Sequence, residues 1–343
     1  MMKKNVFFFV VVSFLAFLFF MPTSSFSADG LNMRLTTDTP DTMPQGEMAT
    51  WFGEEVMRRL PGSAVKVFNA SSLYNNTDSL EAMHAGTLEA CWASLSKISA
   101  VLPQGLCLRL PTLFSSYDDA KAIPTTAVAE YIEKSAEERG YICLGWGILS
   151  PYMGVGAREG RILMVEDWKG KKIRCYDKVA QVLMVEIAGG SPVAMPWGEF
   201  VPSAQSGVVD AGFTSLSSWS KVKEVLPYFS CVGIVPDYYI FLVAKRWWNG
   251  LPETTRKVVA EVADEACAKQ REMQFKSDMK LLDELAAKKT SDPGVYVLSG
   301  DELTPYRKIW IDKLRARIIE KIGKGGKEAL DLAVSVSEQL GNK

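Results

Sequence analysis

The chain has 343 residues, 48% of them hydrophobic and 23% charged, with a mean hydropathy of +0.03, so neither a disordered chain nor a polytopic membrane protein fits. Lysine and arginine number 39 against 40 aspartates and glutamates, which leaves no basic excess for phosphates and argues against a nucleic-acid partner. A single histidine, His84, cannot build a multi-histidine zinc site, and no CxxC pair or HExxH string replaces it, so metal catalysis has no support.

Lys3 and Lys4 precede an apolar run over 6–21, followed by the small and polar Ser24-Ser25-Phe26-Ser27-Ala28. The run is short for a bilayer span, and Ser25 and Ser27 suit a cleavage site. Residues 1–27 therefore read as a secretory signal peptide, with an uncleaved membrane anchor as the alternative. No cysteine follows to accept a lipid, and the mature chain keeps 37 basic and 40 acidic residues. No later stretch approaches a membrane helix; residues 238–244 have the length of a buried strand.

Leu31, Met33 and Leu35 alternate with polar neighbours and predict a strand. A helix over 50–60, a strand over 64–68, a helix over 78–86 and a strand over 90–93 follow, an alternation that predicts a mainly parallel sheet. Strands over 141–146, 172–175, 193–195 and 208–213 continue it, with a helix over 177–188 closed by Gly189-Gly190. A long helix over 252–289, with Val259, Val262, Ala266 and Met273 on one face, has the length to brace two lobes. A strand over 295–298 and helices over 305–322 and 327–340 close the chain. The fold class is α/β, with a cleft between two lobes and a bridging helix. Lobe I takes 28–148 plus about 232–270, and lobe II takes 149–231 plus about 271–343. The six cysteines, Cys91, Cys107, Cys143, Cys175, Cys231 and Cys267, are widely spaced and fit free buried thiols or bridges equally.

Residues 86–94 and 207–215 echo each other at an offset of 121: each leaves a helix at glycine, enters a strand, and places an aromatic before a hydroxyl. Two lobes on one plan would bring these strand ends to facing walls of a crevice, with Trp92 opposite Phe213. No GxSxG elbow, no GxxxxGK[ST] loop and no complete GxGxxG is present; Gly145-Trp-Gly147 and Gly154-Val-Gly156 lack the rest of that fingerprint. The conspicuous charge is Arg174. At a strand end its guanidinium can hold a carboxylate through two parallel bonds; otherwise it is a surface residue of the Lys169–Lys172 basic cluster.

Asp167-Trp-Lys-Gly-Lys-Lys-Ile-Arg174, Met195-Pro-Trp-Gly-Glu199 and Gln205-Ser-Gly-Val-Val-Asp210 resemble the solute-binding proteins of tripartite ATP-independent periplasmic (TRAP) transporters, the DctP family. Ser71-Ser72-Leu73, the stretch from Leu80 to Leu88 and Leu110-Pro-Thr-Leu-Phe114 extend the resemblance over nearly the whole mature chain. It implies a monomeric periplasmic protein that closes on an organic acid and hands it to the small and large membrane subunits of the transporter, without a cofactor. Arg174 matches the family's carboxylate-binding arginine. A second arginine of the family aligns near Tyr152-Met153 and is missing, with Arg158 and Arg161 out of register. The usual asparagine after the Val-Val-Asp strand is Thr214, preceded by Phe213.

Keeping one arginine while losing two polar groups points to a ligand with one carboxylate and an apolar body, because unpaired site groups reject the wrong solute. Trp92, Trp146, Trp197, Trp219 and Phe213, at or after strand ends, are candidates to stack on an aryl or indole-type acid, such as an aromatic amino acid or its keto acid, although each alone also fits ordinary core. Glu199 has two readings, a partner for a ligand amine or for Arg174, and a helix-terminal residue. Asp210 reads as a turn residue and His84 as solvated. The rival readings are a C4-dicarboxylate or other carboxylate binder, a periplasmic sensor subunit, and an enzyme of the same shape, for which no activated nucleophile is visible.

Overall fold

Alternating burial builds the first strand: Met33 and Leu35 are inside and Asn32 is outside along β1 (Asn32–Thr37). This computed structural model describes residues 30–341 other than 112, 115, 116, 151, 234 and 300, so the signal-peptide reading lies outside the described residues. Helix α1 (Pro44–Arg59) starts six residues before the predicted position because Pro44, with no amide hydrogen to lose, suits a first turn. Strand β2 (Ala64–Phe68) is followed by α2 (Asn76–Ala85), whose Asn75 cap accepts from the Thr77 and Asp78 amides at 3.0 Å. The helix ends at Gly86, where φ is +77°, and β3 (Ala90–Ser94) begins.

A 3-10 turn at Pro103–Arg109 and the helices α3 (Tyr117–Ala122) and α4 (Ala127–Glu138) lead into β4 (Tyr141–Ser150). Then come β5 (Met153–Ala157), β6 (Lys172–Cys175), α5 (Ala180–Ile187), β7 (Ser191–Ala194), α6 (Trp197–Gln205), β8 (Ala211–Ser215), α7 (Leu216–Ser220) and β9 (Tyr228–Cys231). The chain closes with β10 (Asp237–Ala244), α8 (Lys245–Asn249), α9 (Glu253–Leu285), β11 (Gly294–Val297), α10 (Thr304–Ile322) and α11 (Gly326–Gly341).

Two sheets result, ordered β2-β1-β3-β10-β4 and β11-β9-β5-β8-β6-β7. Neither is as parallel as predicted. In the first, β10 runs antiparallel to both β3 and β4; in the second, β5 runs antiparallel to both β8 and β9. Each reversed strand is the one the chain enters on crossing directly from the other sheet, β5 after β4 and β10 after β9, whereas β11, reached from the first sheet through α9, runs parallel to β9. The echo at offset 121 is structural: Gly86 and Gly207 both have positive φ, 77° and 76°, and each leads into an inner strand of its own sheet.

Strand β4 extends four residues beyond its predicted end. Gly145 and Gly147, which fit no nucleotide fingerprint, are where the long helix lies against it. A Cβ on Gly145 would sit 2.9 Å from Cys267 Sγ, and one on Gly147 would sit 2.6 Å from Gln270 Oε1. Helix α9, 33 residues and about 50 Å long at 1.5 Å per residue, buries Val259, Val262 and Ala266 as predicted. Beyond them its buried face turns polar, through Gln270, Gln274 and Asp278, and Met273 is only partly covered.

One core cluster, holding Phe52, Trp92 and Phe241, lies between the first sheet, α1 and α9; another, holding Phe200, Trp219 and Phe229, belongs to the second sheet. The largest runs continuously from Cys91 and Ile148 to Phe213, Trp168 and Trp310 and so joins the two sheets. Helix α10 packs on α5, on α11 and on the turn at Pro103–Arg109, and α11 packs on that turn and on α4, on the first sheet's side. All six cysteines are free thiols, and five are buried.

Candidate ligand-binding site

Arg174 is the third residue of β6, paired with Val193 on one side and Gly212 on the other. Its side chain is 3% exposed. Gly212 makes the space, since a Cβ there would meet the Phe200 ring at 2.5 Å and Arg174 Cβ at 2.9 Å. Arg174 Nε donates to the Met195 carbonyl at 3.1 Å and Nη1 to the Phe213 carbonyl at 2.8 Å. Three rings enclose its guanidinium carbon, Phe200 at 5.0 Å, Tyr176 at 5.3 Å and Trp197 at 5.9 Å from their centres. Among the described residues no carboxylate forms an ion pair with it. Burial pulls its pKa down to about 10, so the group stays cationic at neutral pH. A buried guanidinium with two carbonyls and no counter-ion is a site short of an anion.

The turn after β6 is held tightly. Gln181 Oε1 accepts from the Tyr176 and Asp177 amides at 3.0 and 3.1 Å, and Asp177 Oδ1 accepts from the Val179 and Ala180 amides at 2.7 and 2.9 Å. Asp177 Oδ2 lies 3.4 Å from Arg109 Nε, and both side chains are buried. Arg109 Nη1 donates to the Pro236 carbonyl at 2.8 Å. Burial works to lower the Arg109 pKa, but Tyr176, Asp237 and Asp177 outweigh it and hold the guanidinium charged.

Across Tyr176 stands the loop after β3. Lys97 Nζ lies 5.9 Å from the Tyr176 ring centre and pairs with Asp38, which also accepts from Asn76 Nδ2 at 2.7 Å and Tyr239 Oη at 2.8 Å. Burial pushes the Asp38 carboxyl up, yet Lys97, Tyr239 and Asn76 prevail and hold it below its ordinary value. Asp237, fully buried, accepts from Ser94 Oγ at 3.0 Å and Ser96 Oγ at 2.9 Å.

The sequence candidates divide. Trp197 and Glu199 occupy the first turn of α6, both exposed, and Trp197 at 39% is the open ring beside Arg174. Glu199 makes no ion pair with Arg174 among the described residues; its place in the first turn, near the positive helix end, fits the helix-terminal reading. Phe213 meets Arg174 through its carbonyl, while its ring packs on Trp168 at 5.6 Å. Thr214 follows it on β8, buried and paired with Gly154, and Tyr152 is half-buried just before β5. Asp210 Oδ2 accepts from the Lys172 amide at the start of β6, so it ties neighbouring strands together rather than holding a local turn, and His84 is exposed.

Three tryptophans are core residues instead. Trp92 packs on Phe241 at 5.6 Å; Trp146 donates to Glu133 Oε1 at 2.6 Å and meets Tyr238 edge-on; Trp219 stacks on Phe229 at 5.1 Å and donates to the Leu226 carbonyl at 2.6 Å. Trp92 and Phe213 do not face each other, because they belong to different clusters. Trp92 and Trp146 lie inside strands, where side chains turn to a sheet face, and Trp219 lies in the short helix α7. Ligand groups in such folds gather at or just past the carboxyl ends of strands, as Arg174 does one residue from the end of β6. Lys97, Asp38, Tyr176, Arg109 and Asp177 were not singled out from sequence; the same strand-end rule, applied to the residues just after β1, β3 and β6, would have found all but Arg109.

The sequence pattern of "Bacterial extracellular solute-binding protein, family 7" (DctP) matches residues 35–316. A relative described as C4-dicarboxylate-binding periplasmic protein DctP, from Shewanella loihica, is 25% identical over 309 residues, 87% of each chain. A TRAP periplasmic solute-binding protein from Ochrobactrum anthropi, solved with its C-terminus in the ligand pocket, superimposes with a TM-score of 0.80 at 22% identity over 91% of this chain and 96% of that one. The sugar acid binding protein DctPAm of Advenella mimigardefordensis, solved with galactonate, gives 0.79 at 21% identity over 91% and 99%. These two structures share the fold, and the match over 35–316 shows that the chain belongs to bacterial extracellular solute-binding protein family 7, the DctP family of TRAP solute-binding proteins.

Proposed function

We propose that the protein captures an organic acid bearing one carboxylate, holds that carboxylate on Arg174, and delivers the solute in the periplasm to the small and large membrane subunits of a TRAP transporter. The observation that carries this is the charge inventory around Tyr176. Of the cations beside that ring, Lys97 is paired with Asp38 and Arg109 with Asp177, whereas Arg174 has no carboxylate among the described residues. One unpaired cation favours one carboxylate, and a second would meet Asp38, Asp177 and Asp237. The units built on the two sheets serve as the lobes, with α11 added to the first. No described helix is long and apolar enough to cross a membrane.

The body of the solute lies against Trp197 and Tyr176, the rings that flank the guanidinium, which supports an aromatic acid. A second reading, a hydroxylated acid, draws on the polar set of Lys97, Asp38, Asn76 and Tyr239 beyond Tyr176. Tryptophan-fluorescence titration with indole-3-acetate, galactonate and succinate tests both. Saturation by either monocarboxylate, with succinate at least about tenfold weaker, is the expected result, a gap of about 1.4 kcal/mol. Saturation by succinate alone rejects the single-carboxylate reading.

A further inference from the structure

Arg109 is nearly inaccessible and belongs to no strand or long helix, yet it meets the turn that follows the carboxylate arginine. Its Nη1 is tied to the Pro236 carbonyl, immediately before β10 of the first sheet, and its Nε faces Asp177, immediately after β6 of the second. Asp177 spends its other oxygen on the amides that open α5, so the ion pair grips a turn already fixed in shape. Tyr176, between Arg174 and Asp177, lays its ring on the Arg174 guanidinium. We propose that Arg109 is a positioning residue for the carboxylate site: its pairing with Asp177 holds the turn after β6 so that Tyr176 covers Arg174, and it ties that cover to the first sheet.

The proposal rests on the carboxylate reading of Arg174 and adds to it a residue that never touches the solute. The physical reason is that a buried pair missing one partner leaves an uncompensated charge, which the turn relieves by swinging outward. The cover over Arg174 would then open even in the empty protein.

Peptide-resolved phenylglyoxal labelling of the full-length mature protein, without any added acid, reads that opening at individual arginines. In Arg109→Gln, labelling of Arg174 should rise about fivefold or more through local opening. Arg161, which is buried and donates to the Phe229, Asp292, Thr290 and Gly294 carbonyls far from this turn, serves as the internal control and should stay within about twofold. Arg109→Lys, which restores a charge, should bring Arg174 back toward the wild-type rate. If Arg174 labelling is unchanged in Arg109→Gln, or rises in step with Arg161, the positioning role is overturned. The carboxylate reading fails separately, if Arg174→Ala binds galactonate and indole-3-acetate as wild type does.

Discussion

Arg174 holds a full charge in a nearly closed space, with two backbone carbonyls and three rings as its company. Such a group costs stability in the empty protein and repays it only when an anion arrives. Arg174→Met should therefore bind no monocarboxylate yet melt a few degrees higher than wild type, a gain of about 1 kcal/mol. Calorimetric titration and a thermal scan of one preparation check both, and a less stable variant would mean that the guanidinium mainly serves the fold. This residue was legible through the family resemblance, since a strand-end arginine after a basic cluster fits a carboxylate holder and a surface residue equally on its own chemistry. The aromatic set was not, because a tryptophan's place depends on which sheet face it takes. Trp92 fell on a helix-covered face, Trp219 lies in α7 with its ring turned onto Phe229 of β9, and Trp197, past the end of β7, stayed open.

At the scale of elements, α9 is the part whose length was plain and whose chemistry was hidden. Its apolar spacing from Val259 to Ala266 follows the first sheet; past that point the stripe becomes Gln270, Gln274 and Asp278, all fully buried. Gln270 bonds both the amide and the carbonyl of Ile148 in β4, Gln274 reaches Asp278, and Asp278 accepts from Ser150 Oγ at 2.7 Å where β4 ends. Apolar periodicity cannot report a face made of polar residues, so the predicted face drifted to Met273. Burial, opposed only by the Ser150 and Gln274 hydrogen bonds, raises the Asp278 pKa from 3.8 to about 7. The folded protein then holds a proton that the unfolded chain has released. The resulting stability is full below pH 4 and is lost as pH rises toward 7, at about 1.4 kcal/mol per unit for this group. Asp278→Asn should flatten that dependence and exceed wild type in urea stability at pH 8. Parallel pH profiles for the two proteins would show that the carboxyl is not the titrating group.

For the whole molecule, the sequence disclosed two α/β units and the long helix that bridges them, but not the two direct strand crossings. The chain crosses directly between sheets after β4 and after β9, each time entering the new sheet with a reversed strand, and a third time through α9, which leads to β11 and lies across the first of these crossings. Two strand connections and one helix link the units, and Lys97 lies 5.9 Å from the ring of Tyr176 in the turn after Arg174. On the proposed function, an acid seated on Arg174 and touching both units would stabilise the arrangement in which they meet, by its differential affinity for that state. The most direct test is a crystal structure of the protein saturated with the monocarboxylate that titrates best. The account predicts a carboxylate oxygen within about 3 Å of the Arg174 guanidinium, under Tyr176 and Trp197. An acid found elsewhere, with Arg174 still bonded only to the Met195 and Phe213 carbonyls, would contradict it.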